Sequence, residues 1–390
     1  MMKHYFDRIS DDLVAWRRWL HAHPEVGLEL PETMAYIDQV LRSFGLEPKS
    51  MLKGHGIVVD IKGDKQGPMI AIRADADALP LQEESVFSYA STNENMHACG
   101  HDGHVAMALG AAKYFSEHRG FKGTIRVFFQ PGEEIGEGAL LMIEEGILEG
   151  VHALIGLHGG SISEELAPGH FGFKRGAMMA ATDHLDIKVR AKGSHAAYPH
   201  LGIDPLLIAS EVILSSQSLI SREKSALEPA VLSFTSIHGG RAYNIIPDEV
   251  HIKGTLRSFN EELRRHLHSR LRKLCESVAE AHGGQAEVIW DEKLPPLYNH
   301  DGLVTEALKV AKELYPKQVV ELQHPVFGGE DMAFYAEQVP TCFFFFSNTR
   351  EVEGSYPALH HPRFDLDESS FARGSHLLSR LALHFLSLED

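Results

Sequence analysis

The spacing of apolar positions changes several times along the chain. Ile9, Leu13, Trp16 and Leu20 recur at helical intervals before Pro24, which predicts an opening helix. GIVVDIKG and PMIAIRAD then read as strands and residues 104–118 as a helix rich in small residues. GTIRVFFQPG follows as a strand, residues 137–148 as a helix and ALIGLH as a strand. Such alternation predicts a mostly parallel sheet flanked by helices. Strand ends carry polar residues: Asp75 and Asp77, Glu133 and Glu134, and His158. Open α/β sheets gather their sites at the carboxyl ends of strands, so these positions mark one candidate edge.

Near residue 183 the pattern becomes period two. HLDIKVRAKG alternates as a half-exposed strand, residues 203–222 read as a helix, and AVLSFTSIHGG and VHIKGTLRSF are two further alternating strands. A long helix follows, with Asn260 as N-cap, Glu261 and Glu262 in its first turn and Gly283-Gly284 at its end, and then the strand AEVIW. The order β-α-β-β-α-β is that of a ferredoxin-like unit. From about residue 296 the α/β character returns, with a helix at 301–314, the strand TCFFFFS and a closing helix from about 367. The expected architecture is one α/β catalytic domain formed by residues 1–182 and 294–390, interrupted by an α+β inserted domain at 183–293.

Composition narrows the class. The chain has 390 residues, 37 basic and 54 acidic, for a net charge of −17, which argues against nucleic acid or an anionic membrane as partner. No apolar run reaches the roughly 18–20 residues of a spanning helix. MMKHYFDRIS has no apolar h-region, so no secretory signal is expected. Three scattered cysteines, Cys99, Cys275 and Cys342, form no disulfide framework, and a reducing cytoplasm is expected. The 25 histidines are the anomaly that invites a search for metal ligands.

HACGHDGH, residues 97–104, packs three histidines, a cysteine and an aspartate into eight residues. Cys99 and His101 in a glycine-containing turn before a helix can face one point and bind a metal; the alternative is a polar helix cap. QPGEE, residues 130–134, places two carboxylates side by side after a strand, where burial requires a cation or a shared proton. Glu134 as ligand and Glu133 as general base would give each a role; the alternative is a solvated pair opening the next helix. In RADADALP, Asp77 could orient a ligand imidazole, or Asp75 and Asp77 could simply cap a loop. His158 ends ALIGLHGG, and ALHHPRFDLDE offers His360 and His361, of which at most one suits a given metal.

The inserted stretch has its own motif, GSHAAYPHLGIDP, in which His195 could donate to a carbonyl oxygen as it becomes an oxyanion. Asn244 in RAYNIIP and Arg257 in GTLRSF suit a substrate carboxylate, although a surface strand charge explains Arg257 equally well.

In order and spacing, HACGHDGH, QPGEE, GSHAAYPHLGIDP, RAYNIIP and LHHP resemble the amidohydrolase subfamily of the aminoacylase and carboxypeptidase-type dinuclear metallopeptidases. Hippurate hydrolases, auxin-conjugate hydrolases and N-acetyl-diaminopimelate deacetylases are relatives. The resemblance extends from RRWLHAHPE, residues 17–25, to the closing helix. It implies two divalent ions (zinc, manganese, cobalt or nickel) held by Cys99, His101, Glu134, His158 and His360, with Cys99 in the bridging place. His360 is preferred to His361 because it stands two residues before Pro362. The resemblance also implies Glu133 as base, Asp77 behind a ligand, and a homodimer through the inserted domain in which His195 serves the partner's site. The implied activity is hydrolysis of N-acyl amino acids by a metal-activated water, with Asn244 and Arg257 on the substrate carboxylate.

Three rival functions remain: an N-acetyl-diaminopimelate deacetylase, a dipeptidase or carboxypeptidase, and a metal-binding sensor or storage module. The last has no need of Glu133 beside Glu134. Met178, Met179 and Phe327 could line an acyl pocket or belong to ordinary core.

Overall fold

The structure, a computed structural model, describes residues 2–388; residues 1, 389 and 390, the extreme ends of the expected catalytic domain, lie outside the described residues. The chain divides into two units. The first comprises the residues up to Gly176, Tyr298–Val326 and those from Asp331 on; the second comprises Ala177–Leu297 and Phe327–Glu330.

The first unit begins with helices α1 (Met2–Arg8), α2 (Ser10–Ala22) and α3 (Pro31–Ser43). Strands β1 (Lys49–Met51), β2 (Gly56–Lys62) and β3 (Lys65–Asp75) precede helix α4 (His101–Glu117), which is followed by β4 (Lys122–Gln130), β5 (Val151–Gly159) and β6 (Phe171–Phe173). With strands Val319–Glu321 and Thr341–Phe346 these form an eight-stranded sheet in the order β1-β2-β4-β3-β5-(341–346)-β6-(319–321). Pairing is parallel through its centre, β4 with β3, β3 with β5 and β5 with Thr341–Phe346, and antiparallel at β1/β2, β2/β4 and between Thr341–Phe346 and β6.

Both faces are covered. Ile70, Ile72, Phe344 and Phe346 share a core with Val105, Leu109 and Phe115 of α4 and Leu377 and Leu381 of the closing helix Phe371–Leu386. On the opposite face Phe128 meets Tyr335 of helix Met332–Ala336, with ring centroids 5.5 Å apart. Every residue of Thr341–Phe346 is buried, which is why that strand is apolar without alternation.

Strands β1, β6 and Val319–Glu321 were not expected. Each has three residues, too few for a period to register. Helix α4 starts at His101 rather than 104, because Gly100 takes the left-handed conformation (φ 87°) and turns the chain into the helix.

The second unit is a four-stranded antiparallel sheet in the order Ala230–Gly239, Glu249–Ser258, Ala181–Arg190, Gln285–Leu294. Leu185, Ile187 and Val189 point to its core while Lys188 and Arg190 face outward. Helix Glu261–Ala281 lays Leu263, Leu267, Leu271, Cys275 and Ala279 on that core at four-residue intervals, and Asn260 caps it by accepting the Leu263 N–H at 3.1 Å. The expected helix 203–222 is an α-helix over Pro205–Ser218 that continues as a π-turn over Leu219–Glu223. Among the described residues no helix is long and apolar enough to cross a membrane.

Candidate metal centre

Four segments of the first unit converge at the carboxyl ends of β3, β4 and β5. They are the residues after β3, the turn into α4, the PGEE turn after β4 and the end of β5, and the loop carrying His360 joins them. Cys99, His101 and His158 offer ligand atoms within 4.8 Å of one another, as do Cys99, Glu134 and His360, and also His101, Glu133 and Glu134.

The donors are aimed by hydrogen bonds behind them. His101 Nδ1 donates to the main-chain oxygen of Asp77 at 2.9 Å, and His158 Nδ1 donates to the oxygen of Gly159 at 2.8 Å. Both rings therefore turn Nε2 toward the site. His158 Nε2 stands 3.4 Å from Cys99 Sγ, and His360 Nε2 stands 3.5 Å from Glu134 Oε1. Donors about 2.0–2.3 Å from one ion at tetrahedral angles lie roughly 3.3–3.8 Å apart, so these pairs have the spacing of shared ligation. His101 Nε2 and Glu134 Oε1 are buried with no hydrogen-bond partner among the described residues. Buried polar atoms are rarely left so, and two that converge on a cysteine fit a cation.

Electrostatics agree. Burial and the Glu134 carboxylate push the Cys99 thiol well above its ordinary range, and burial with His104 nearby drives His158 well below its own. Burial opposes ionisation of Glu134, but His360 and His101 outweigh it and hold that carboxyl low. Burial disfavours the His101 imidazolium, but Asp75, Cys99 and Asp77 outweigh it and raise His101 well above its ordinary value, so His101 and Cys99 hold protons that a bound divalent ion would displace.

Glu133 and Glu134 sit in a turn made possible by Gly132 at φ 69°, where a Cβ would come within 2.5 Å of Leu28. The two oxygens of Asp77 accept their main-chain N–H groups, at 3.1 and 3.0 Å. Asp77 also stands behind His101. Its carboxylate is engaged by the PGEE turn and lies 3.4 Å from His101 Nδ1, while its carbonyl makes the shorter contact.

Two functional-site neighbours, His104 and Arg73, escaped sequence reasoning. His104, one turn after His101, donates from Nδ1 to Asp75 Oδ1 at 2.6 Å and accepts the Gly159 N–H on Nε2 at 2.7 Å, bracing the end of β5. Its three-residue spacing from His101 was the available signal. Arg73 holds Asp75 at 2.7 Å and Asp331 at 2.7 Å. Burial would raise the Asp75 carboxyl, but Arg73, His101 and His104 keep it well below its ordinary value.

The remaining expected residues belong to the second unit. His195 is exposed and its Nδ1 accepts the Ala197 N–H at 3.1 Å, so Nε2 carries the proton. Asn244 is exposed beside it, its main-chain oxygen accepting from Ala196 at 3.0 Å. Arg257 is half-buried, pairs across the sheet with Thr182 and donates to its hydroxyl. Burial lowers its basicity.

Residues 71–384 match the family described as Peptidase family M20/M25/M40, and the chain belongs to it. It is accordingly a metal-dependent amidohydrolase. It is 39% identical over 387 residues to the N-acetyl-L-cysteine deacetylase of Bacillus subtilis (strain 168), covering 98% of this chain and 90% of that protein. It is 41% identical over 303 residues to the N-acyl-L-amino acid amidohydrolase of Geobacillus stearothermophilus, covering 77% of this chain and 81% of that one. Among solved structures it is similar to the Bacillus subtilis YXEP protein, described as a dinuclear metal binding peptidase from the M20 family. The TM-score is 0.85 and the identity 35%, with 97% of this chain and 99% of that chain covered.

Proposed function

We propose that the protein releases an amino acid from its N-acyl derivative, with Glu133 as the general base. The observation that carries this reading is the convergence of His101 Nε2 and Glu134 Oε1, buried without a hydrogen bond among the described residues, with Cys99, beside a second carboxylate that the same turn holds in place. Cys99, His101, Glu134, His158 and His360 would hold two divalent ions, of which zinc, manganese, cobalt and nickel all suit mixed sulfur, nitrogen and oxygen donors. Such ions supply Lewis acidity, acidifying a water and polarising the amide carbonyl. Glu133 takes the proton of the attacking water and delivers it to the leaving amine nitrogen. His195 donates its Nε2 proton to the developing oxyanion, and Arg257 with Asn244 holds the amino acid carboxylate, which excludes neutral amides.

The inserted residues 183–293 would also form a homodimer. Leu207 and Leu214 on helix Pro205–Ser218 are exposed, as are Val231 and Ile237 on the edge strand Ala230–Gly239. His195 of one copy would then serve the other. The three cysteines are buried and unpaired, in keeping with a reducing cytoplasm.

The relatives named for N-acyl amino acids favour this reading over a diaminopimelate-specific deacetylase or a carboxypeptidase. The test is amine release from a panel of N-acyl amino acids, N-acetylcysteine, hippurate and N-acetyl-diaminopimelate included. Chelator-stripped protein would be assayed with each metal restored. Metal-dependent cleavage is expected. No cleavage of any member by folded, metal-loaded protein would overturn the reading.

A further inference from the structure

Arg17 opens the RRWLHAHPE segment, and nothing in the mechanism above uses it. It lies on α2 with no exposed surface. Its Nε donates to Asp102 Oδ2 at 2.7 Å and its Nη2 to Asp365 Oδ1 at 2.6 Å, with a longer contact from Nη1 to Glu368 at 3.4 Å. The two near carboxylates come from distant parts of the chain. Asp102 directly follows His101, three residues after Cys99, and Asp365 stands five residues after His360. Both are buried. His21, one turn after Arg17, also reaches Asp102, at 2.7 Å from Nδ1. The other oxygen of Asp365 accepts from Tyr89 at 2.9 Å and from Arg350 at 3.2 Å.

His360 depends on such support. Its side chain is 55% exposed, so packing does not hold the ring. Its backbone is left-handed, at φ 63°, a region that few non-glycine residues occupy. The main-chain link from His360 to the centre is the hydrogen bond from its N–H to the oxygen of Ala98 at 2.8 Å, and Leu366 of the same loop lies against Gly100. Further along the same loop the Asp365 carboxylate is the anchored point.

We propose that Arg17 is a positioning residue for one of the two metal positions: by clamping Asp102 to Asp365 it sets the His360 segment against the Cys99–His101 turn and so fixes the donors Cys99, Glu134 and His360. This rests on the ligand assignment above. The position calls for arginine, because a planar fork can serve two carboxylates in different directions, whereas an ammonium on a flexible stem cannot fix both. The other donor set, Cys99, His101 and His158, has its rings oriented by main-chain oxygens of Asp77 and Gly159 and does not depend on Asp365.

The test is cobalt titration of chelator-stripped protein, read by bound metal per chain and by the visible cobalt spectrum, for wild type, Arg17→Lys, Asp365→Asn, His360→Ala and Arg17→Lys/His360→Ala. Circular dichroism and urea unfolding establish that each variant is folded. The expected result is two equivalents in wild type and, in Arg17→Lys, one equivalent unchanged with the other weakened about ten- to a hundredfold. His360→Ala should weaken the same equivalent, and the double variant should lose no more than His360→Ala alone. If Arg17→Lys does not fold, Asp365→Asn carries the same comparison. Two equivalents bound as in wild type, both weakened alike, or additive losses in the double variant would each overturn the clamp. Failure of wild type to bind two equivalents would overturn the ligand assignment itself, and the clamp with it.

Discussion

Asp77 accepts the main-chain N–H of Glu134 at 3.0 Å, and its second oxygen accepts that of Glu133 at 3.1 Å. One carboxylate thus sets the backbone from which both the proposed base, Glu133, and a proposed ligand, Glu134, project. Asn at this position keeps one acceptor and turns an NH2 toward the other N–H, leaving a buried donor unpaired. Asp77→Asn is expected to cost about 1–3 kcal/mol of stability and to lower turnover roughly ten- to a hundredfold. Urea unfolding and steady-state kinetics check this; wild-type values for both would contradict it.

A proton-bearing Nε2 on an exposed His195 makes sense if it acts on another molecule. Mixing inactive His195→Ala chains with inactive Glu133→Ala chains is therefore expected to restore activity, because a heterodimer retains one site with both groups. Recovery toward about a quarter of wild-type turnover is the statistical limit for random exchange, since half the dimers are mixed and each has one complete site of two. No recovery after subunit exchange verified by mass spectrometry would place His195 within its own chain's chemistry or outside it.

His376, on the closing helix, is 4% exposed and stands with Nδ1 2.8 Å from the Tyr315 hydroxyl. Burial, aided by the Arg380 and Lys3 charges, lowers its pKa to about 4. The unfolded value is about 6.5. The folded chain therefore favours the neutral ring. The contribution to stability is complete above about pH 6.5 and is lost as pH falls toward 4. Urea unfolding across that window is expected to show a decline on the order of 2 kcal/mol from this residue, which His376→Gln removes. An unchanged slope in the variant would refute the assignment.

Much of this arrangement was legible in the sequence, for identifiable reasons. Long elements declared themselves by period, as in Leu185, Ile187 and Val189 or the four-residue ladder from Leu263 to Ala279. The candidate metal donors stood out because their chemistry is rare in combination: a cysteine and a histidine two apart, and two adjacent glutamates after an apolar strand. The supporting residues were not. Arg17 and Asp365 are 348 residues apart, and His104 meets Asp75 only once β3 and α4 are packed. Such partners are ordinary charged residues until the fold joins them. Asp77 illustrates the boundary: its place behind His101 was legible, but whether carbonyl or carboxylate does the orienting depends on the PGEE turn that takes up its oxygens.

The central claim is that Glu133 moves the proton while its neighbours hold the metal. Glu133→Gln keeps the size of the side chain and removes its basicity. Metal content per chain and turnover of N-acetylcysteine or hippurate, whichever wild type cleaves, would be measured on the same preparation. The account predicts undiminished metal content with turnover reduced about a hundred- to ten-thousandfold. Near-wild-type turnover in the metal-loaded variant would contradict it.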